Sequence, residues 1–316
     1  MTTVDTPFRL QEPLWRIRLR AGWNSFKANW ALFAQNKIGL IGLAIIILFG
    51  LMAILHPILM NTVWDPNIYD PFVGNDPDIY IHPSPPSEAH WLGTDPMGRD
   101  VLSQLMYSTS NEFVLGLLAA IITVVIATSI GAIAAYFGGW IDALCMRLAD
   151  LVNLLPFFAL LVVLSSFVRM DMFMLAIVIG VLSGFGGSTI IFKAQALTIK
   201  VKPYIEAARV AGGGHKHIIF RHIVPNLMPL AFLTMMTTVT NAIFSEAALS
   251  FFGLLNIRMS WGIMIYTTQT AGYMLRSIDY WYLIFPAGVS ITLLCSAFYL
   301  VGRALDEVVN PRLRQR

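Results

Sequence analysis

Length, composition and charge narrow the class of this protein. The 316-residue chain is 57% hydrophobic and only 12% charged, with a net charge of +3 and a mean hydropathy of +0.68. Soluble domains carry about a quarter charged residues, so these values disfavour a soluble globular protein and indicate a chain dissolved in lipid. The two cysteines, Cys145 and Cys295, form no Cys-x-x-Cys motif and indicate neither a disulfide framework nor a zinc site.

Six apolar segments follow a mostly polar N-terminal segment, 1–37. Each apolar segment holds about 18 residues or more, which is the length that a helix needs to cross a hydrocarbon core about 30 Å thick. We therefore predict an all-α integral membrane protein with six transmembrane helices. The predicted spans lie near 38–60, 110–137, 151–168, 172–192, 227–249 and 281–302.

The distribution of basic residues predicts the orientation of these spans. If the N-terminus is cytoplasmic, 17 of the 21 Lys and Arg residues lie on the cytoplasmic side. Short cytoplasmic loops of membrane proteins carry such an excess of positive charge. We therefore expect both termini, including the tail 303–316, to lie in the cytoplasm.

The predicted external loop at 61–109, called the acidic loop below, differs in composition from the other connections. It contains seven carboxylates and a single basic residue, Arg99, and it is rich in proline and aromatic residues. Loops longer than a connection requires usually have a function or pack against a partner. We predict an extended but folded loop that contacts a partner or caps the outer mouth of a channel. The alternative is a tolerated insertion that only covers the channel rim.

The cytoplasmic loop 200–226, called the hinge segment below, has the pattern of two short helices joined by glycines. Residues 206–211 favour a helix, whereas the run Gly212–Gly214 favours a sharp turn. Pro225 is expected to begin the next span, where its missing N–H has the smallest cost.

An apolar cluster interrupts the basic surface of the hinge segment. Its members are Ile218, Ile219 and Phe220, and we expect them to form a compact exposed knob. An exposed knob between spans indicates a soluble partner. The alternative is an amphipathic helix that rests on anionic lipid.

Polar residues form a stripe on the fifth predicted span. Thr234, Thr238, Asn241 and Ser245 recur at spacings that place them on one helical face, and Glu246 follows at the outer end. Polar residues inside a membrane are energetically costly and usually have a function, so we predict that this stripe lines a water-filled translocation path. The alternative is that these side chains bond to their own helix or to neighbouring helices and serve only packing.

Three further features of the spans bear on mechanism. Asn153 and Pro156, near the start of the third predicted span, mark either a kink near a gate or an ordinary membrane proline. Small residues on the second span predict close contact with neighbouring helices. Asp and Glu are nearly absent from the middle of the predicted spans, which disfavours an ion-coupled secondary transporter.

Other candidate sites are weaker. No Gly-x-x-x-x-Gly-Lys-Ser/Thr frame occurs, so we expect no nucleotide binding by this chain. His215, His217 and His222 lie among basic residues and indicate a solvated basic face rather than a metal site. No catalytic triad or paired carboxylates appear in the sequence, so we expect neither an enzyme nor a cofactor.

Several motifs occur in the order found in one family of membrane proteins. The 206–208 triplet (Glu-Ala-Ala), Gly212 and Pro225 are similar to the EAA loop of binding-protein-dependent ABC importer permeases. The other matching segments are Phe33–Gly39, Leu92–Ser103, Glu246–Leu254 with Trp261 and Gly262, and Asn310–Arg314. Over about residues 20–316 the chain resembles the C-type permease subunit of the dipeptide/oligopeptide/nickel importer subfamily.

Two segments depart from the subfamily pattern. Residues 108–113, Ser-Thr-Ser-Asn-Glu-Phe, replace a stretch that normally carries a Gly and an Arg. The segment between Gly253 and Trp261 is shorter than usual and lacks its usual prolines. Both border the outer mouth in the family, so both affect the substrate assignment.

The resemblance implies a type I ABC importer fold in the inner membrane, with a peripheral first helix and a permease core at 110–302. It implies a second permease subunit, two ATPase subunits that bind ATP and Mg, and an extracytoplasmic solute-binding protein, with no role for nucleic acid. The implied ATPase-coupling residues are Glu206, Ala207, Ala208, Gly212, Ile218, Ile219, Phe220 and Pro225.

Peptides are the substrate class that the resemblance favours. Nickel chelates and oligosaccharides, which relatives also transport, remain alternatives. Two rival classes remain. A secondary transporter without an ATPase would predict intramembrane carboxylates, and a membrane scaffold protein would not require the hinge segment.

Overall fold

The computed structural model describes residues 14–309, so the motif Asn310–Arg314 lies outside the described residues. Within the described range the chain forms helices and no β-strand. The helices are α1 (Leu14–Phe33), α2 (Lys37–Thr62), α3 (Pro66–Tyr69), α4 (Val101–Phe137), α5 (Gly139–Leu154), α6 (Phe157–Phe167), α7 (Met172–Ser183), α8 (Thr189–Lys200), α9 (Pro203–Val210), α10 (His215–Ile218), α11 (Val224–Phe251), α12 (Trp261–Thr270) and α13 (Trp281–Val309).

Five helical stretches in the described part of the chain are long and apolar enough to cross a membrane. They are Lys37–Thr62, Val101–Phe137, Met172–Lys200, His215–Phe251 and Ile278–Val308. The bent pair α5 and α6 passes the same test when its two helices are taken together, which brings the number to six. The predicted all-α membrane fold is therefore confirmed, with five candidate spans, or six if the bent pair α5 and α6 crosses as one broken span.

The predicted third span at 151–168 is wrong as a continuous helix. α5 ends at Leu154, α6 begins at Phe157, and the two helices are bent by 81°. Leu155 is extended (φ −81°, ψ 131°), since the ring of the following Pro156 disfavours helical geometry. The 11 residues of α6 extend about 16 Å, which is too short to cross the membrane alone. A bend at Pro156, one of the two alternatives that the sequence left open, is therefore present.

Three helices extend beyond the apolar segments that predicted them. α4 begins at Val101, inside the acidic loop, and α8 continues to Lys200. The helix that contains Pro225 begins at His215, ahead of the predicted start. Hydropathy marks only the part of a helix that lies in lipid, whereas backbone hydrogen bonding continues through polar residues.

α4 is the central helix of the bundle and packs against α2, α7, α8 and α11. A Cβ atom at Gly131 would lie 2.8 Å from both the backbone nitrogen of Lys193 and the Cβ of Phe192. Only glycine permits this approach of α4 to α8. The close packing predicted from the small residues of this span is confirmed.

Two buried apolar clusters hold opposite ends of the bundle. One lies near the acidic loop, where Trp261 is fully buried and its indole Nε1 donates to the carbonyl of Leu105 at 3.1 Å. The other lies near the hinge segment and contains Phe192, Ile223 and Leu227. These clusters fix α11 and α12 against α4 at one end and α8 against α11 at the other.

Candidate functional site

The hinge segment folds as two short helices separated by a glycine turn, as predicted. α9 ends at Val210, and Gly212 has a φ of +85°, a conformation that favours glycine. The backbone nitrogen of Gly213 donates to the carbonyl of Ala208 at 2.9 Å and closes the end of α9. The second helix, α10, then continues through a wide turn at Ile219–Ile223 into α11.

The expected exposed knob of three apolar residues is not present. Ile218 and Ile219 are buried beside Ile205 and Leu227, and only Phe220 is exposed, at 56%. Positions 218, 219, 223 and 227 share one face of a continuous helix, and that face packs on the core. The sequence interpretation was wrong because it treated this stretch as a loop that precedes the span.

A shallow cavity of about 500 Å³ surrounds Phe220. It is lined by Lys216, His217, Phe220, Arg221 and Pro225. One exposed aromatic ring among basic side chains therefore replaces the predicted knob.

The EAA residues lie on α9. Glu206 and Ala207 are exposed and Ala208 is partly buried, while Ile205 between α9 and the core is fully buried. Glu206 makes no salt bridge with any residue in the described range 14–309. Its position in the first turn of α9 favours a negative charge through the helix dipole.

The end of α4 contacts the start and the middle of the hinge segment. The Lys200 ammonium donates to the carbonyl of Ala135 at 2.9 Å, and the Tyr136 hydroxyl is hydrogen-bonded to Nδ1 of His215 at 2.8 Å. The Arg209 guanidinium lies 5.8 Å from the centre of the Tyr136 ring. Sequence reasoning missed Tyr136, although an aromatic residue with a polar tip at the end of a span is typical of an anchor.

The three histidines of the hinge segment have different surroundings. His215 bonds Tyr136, whereas the rings of His217 and His222 meet edge-on with their centres 5.3 Å apart. Across the described residues, no group of three metal-ligating side chains is close enough to hold an ion.

The polar stripe of α11 divides into two parts. The hydroxyls of Thr234 and Thr238 donate to carbonyls of their own helix, at 3.0 and 2.9 Å. Asn241 is exposed, and together with Ser245 it lines a groove of about 320 Å³. The other residues of this groove are Phe157, Phe158, Ser183 and Phe244. Asn241 and Ser245 thus line the groove beside the α5–α6 bend, whereas the hydroxyls of the two threonines form hydrogen bonds within their own helix.

The acidic loop is folded, as predicted, and its motif segment Leu92–Ser103 leads into the start of α4. The Asp95 carboxylate accepts hydrogen bonds from the backbone nitrogens of Met97 and Arg99, at 2.8 and 2.9 Å, and from Nε of Arg99 at 2.7 Å. Gln104 on α4 donates to the same carboxylate at 3.0 Å. Asp100 caps α4 by accepting from the backbone nitrogen of Ser103 at 2.6 Å.

His90 joins this cap to the remainder of the acidic loop. Its fully buried ring bridges Asp100 and Asp76, with nitrogen–oxygen distances of 2.7 and 3.3 Å. The hydrogen bond to Asp100, with a smaller contribution from Asp76, raises the pKa of His90 above 6.5 despite the opposing effect of burial. Sequence reasoning missed this histidine because neither carboxylate is adjacent to it in the chain.

Two carboxyl groups are buried between the helices, close to the ends of the second and fifth predicted spans rather than in their middle. Glu112 of α4 and Glu246 of α11 are fully buried and approach each other. Glu112 belongs to the 108–113 segment that departs from the subfamily pattern. Hydropathy does not detect this pair, because both residues lie in apolar segments of the sequence.

Comparison with known proteins identifies the family. The family described as binding-protein-dependent transport system inner membrane component matches residues 127–315, and the N-terminal TM domain of oligopeptide transport permease C matches residues 24–86. These matches include α4 from its middle onward, the hinge segment and α11.

Curated relatives match the chain along most of its length. The oligopeptide transport system permease protein OppC of Bacillus subtilis is 33% identical over 90% of this chain and 88% of its own length. The dipeptide transport system permease protein DppC of the same organism is 32% identical over 90% and 85%. OppC of Mycobacterium tuberculosis is 29% identical over 89% and 93%. The chain therefore belongs to the family of binding-protein-dependent transport system inner membrane components, the membrane permease components of ABC importers.

Proposed function

We propose that this chain is one permease subunit of an ATP-driven, binding-protein-dependent importer of di- or oligopeptides. Relatives named as oligopeptide and dipeptide permeases support the substrate class. The chain contributes half of the translocation path beside a second, related permease. Two ATPase subunits bind ATP and Mg, and a solute-binding protein delivers the peptide.

The hinge segment couples the path to the ATPases in this proposal. The observation that supports it best is Phe220, an exposed ring on a rigid base formed by buried Ile218 and Ile219. A residue that transmits force requires such a base, because a flexible loop would absorb the motion. Glu206, Ala207 and the basic rim of the cavity around Phe220 complete the surface presented to an ATPase.

The end of α4 carries the motion toward the membrane. Lys200 and His215 attach the start and the middle of the hinge segment to adjacent residues of α4, Ala135 and Tyr136. A displacement of the hinge segment therefore acts directly on the central helix. α4 contacts α11, which carries Asn241 of the proposed path.

Both termini and the hinge segment are cytoplasmic in this proposal, and the acidic loop faces outward. The charge bias supports this orientation. The groove beside Asn241 then lies on the face that a second permease would complete into a closed path.

ATP hydrolysis by the reconstituted complex tests the coupling role. We expect Phe220→Ala to reduce the stimulation by peptide-loaded binding protein, while the subunits still assemble. Phe252→Ala is the matched control, since Phe252 is also exposed, at 60%, but lies at the opposite end of α11. Full stimulation of the Phe220→Ala complex would refute the coupling role.

Uptake into proteoliposomes tests the substrate class. Complexes supplied with the cognate binding protein should accumulate a labelled tripeptide, and unlabelled dipeptides or longer peptides should compete. Accumulation of a nickel chelate or an oligosaccharide in place of the peptide would refute the peptide assignment and leave the importer assignment intact.

A further inference from the structure

The packing seam between α4 and α11 contains two carboxylic acids that the proposed function does not use. Glu112 and Glu246 each have 0% of their surface exposed. Both side chains are enclosed by this chain alone, so no partner subunit can reach them without separating the helices. α4 packs directly against α11, and the two carboxyl groups interact with each other electrostatically.

The two carboxyl groups have unequal surroundings. The Ser250 hydroxyl donates to Oε1 of Glu246 at 2.6 Å, and the Ser260 hydroxyl of the adjoining α12 lies 3.4 Å from the Ser250 hydroxyl. Both oxygens of Glu112 and Oε2 of Glu246 receive no hydrogen bond from any described residue. The buried hydroxyl of Ser108, one helical turn from Glu112, also lacks a partner among the described residues.

No basic side chain balances these acids. Within residues 14–309, neither carboxylate takes part in a salt bridge. Two adjacent carboxylates cannot both remain ionised in a medium of low polarity, because desolvation and mutual repulsion both oppose the second charge. A proton or a metal cation must therefore neutralise at least one of the two carboxylates.

We infer that Glu112 and Glu246 form a proton-binding pair in which Glu112 holds the proton and donates it to Oε2 of Glu246. The serine hydroxyl already donates to Glu246, which favours the charged form of that carboxylate. Glu112 has no donor of its own, which favours its neutral form. A single proton then satisfies an oxygen on each residue.

A proton fits this site better than a metal ion does. A metal ion between two carboxylates would occupy the space across which they approach each other. Ca²⁺ needs about six to eight oxygen ligands, and the helical carbonyls near this seam are already engaged in backbone hydrogen bonds. The cluster offers two carboxyl groups and three serine hydroxyls, of which Ser250 is already bonded to Glu246.

The pair has one further titratable neighbour. The Cys295 thiol of α13 is in electrostatic contact with Glu112, whereas α12 contributes Ser260, which does not titrate. Loss of the proton would place two negative charges in the seam and force α4 and α11 apart. The proton thus stabilises the contact between the central helix and the helix of the proposed path.

Infrared spectroscopy of the full chain in lipid nanodiscs tests the inference directly. The carbonyl stretch of a protonated carboxylic acid is separate from that of a carboxylate. We expect this band in the wild type at neutral pH and its loss in Glu112→Gln, whose amide can replace the donated hydrogen bond. Glu88→Gln, at an exposed position of the acidic loop, is the matched control and should retain the band. An unchanged band in Glu112→Gln, or no band in the wild type, would overturn the inference.

Thermal unfolding provides a second readout that does not depend on the variant's spectrum. The wild type should lose stability progressively as pH rises above about 4.3, where an unfolded glutamate ionises, and Glu112→Gln should lose this dependence, while Cys295→Ala should retain it. Replacing sodium and potassium with choline should leave the wild-type midpoint unchanged. A midpoint that falls without alkali cations, or an identical pH dependence in wild type and Glu112→Gln, would show that the pair does not hold a proton in this way.

Discussion

Nδ1 of His90 lies 2.7 Å from a carboxylate oxygen of Asp100, and this contact joins the acidic loop to the cap of α4. Asp100 uses its other oxygen to accept from the first turn of α4. The second ring nitrogen of His90 contacts Asp76, in a different part of the loop. The loop is thus held to the central helix by a ring that can carry a positive charge.

The stability of the acidic loop should therefore depend on pH. The pKa of His90 is raised in the folded chain, so its contribution is fully present below pH 6.5 and is lost as pH rises through the higher folded value. Hydrogen bonds to charged groups contribute about 1.5–3 kcal/mol. Hydrogen exchange of residues 67–90 should be slower at about pH 5.5 than at about pH 8.5, after correction for the intrinsic rate.

Replacement of His90 provides the control for that experiment. His90→Gln should exchange faster at the lower pH and lose the difference between the two conditions, whereas His217→Gln in the hinge segment should behave as the wild type. Equal protection of the wild-type loop at both pH values would contradict the role given to His90.

Substitutions at Ile218 and Phe220 should have different effects on stability, because only Ile218 lies in the core. Ile218→Ala removes a side chain that is 0% exposed, so we expect a loss of about 2–5 kcal/mol in the free energy of unfolding. Phe220→Ala should change the same quantity by less than about 0.5 kcal/mol, since its ring is 56% exposed. Thermal denaturation in detergent measures both, and the opposite ranking would mean that Phe220 is part of the core.

Asn241 should affect transport and leave assembly unchanged. Asn241→Leu places an apolar side chain in the groove beside Phe157 and Ser183, so peptide uptake should fall severalfold. Thr237→Val is the control, because Thr237 is exposed outside that groove and donates to its own helix. Normal uptake by Asn241→Leu would favour a role in packing.

Cysteine labelling tests the orientation. In a chain with Cys145 and Cys295 replaced by alanine, Asn75→Cys should react with an impermeant reagent from outside the cell, and Gly22→Cys should not. Both positions are exposed in the folded chain, so accessibility alone does not separate them. The reverse labelling pattern would overturn the predicted topology.

Much of the fold followed from the local chemistry of the sequence. Long apolar segments predicted five of the spans, because lipid imposes the same length and composition on every helix that crosses it. Glycine at position 212 predicted the turn of the hinge segment, since its positive φ is a property of the residue itself. Motifs of adjacent residues likewise identified the family.

Features that depend on the packing of distant residues became visible only in the tertiary structure. Ile218 and Ile219 are buried because α10 continues into α11, and no local signal reveals which face of that helix meets the core. Glu112 and Glu246 lie far apart in the chain, and each alone is a single acid in an apolar segment. Their proximity depends on how α4 crosses α11, and the same holds for His90 and its two carboxylates. The sequence by itself thus determined the membrane class, the family and the approximate positions of five spans, whereas tertiary packing decided which polar groups share a buried site.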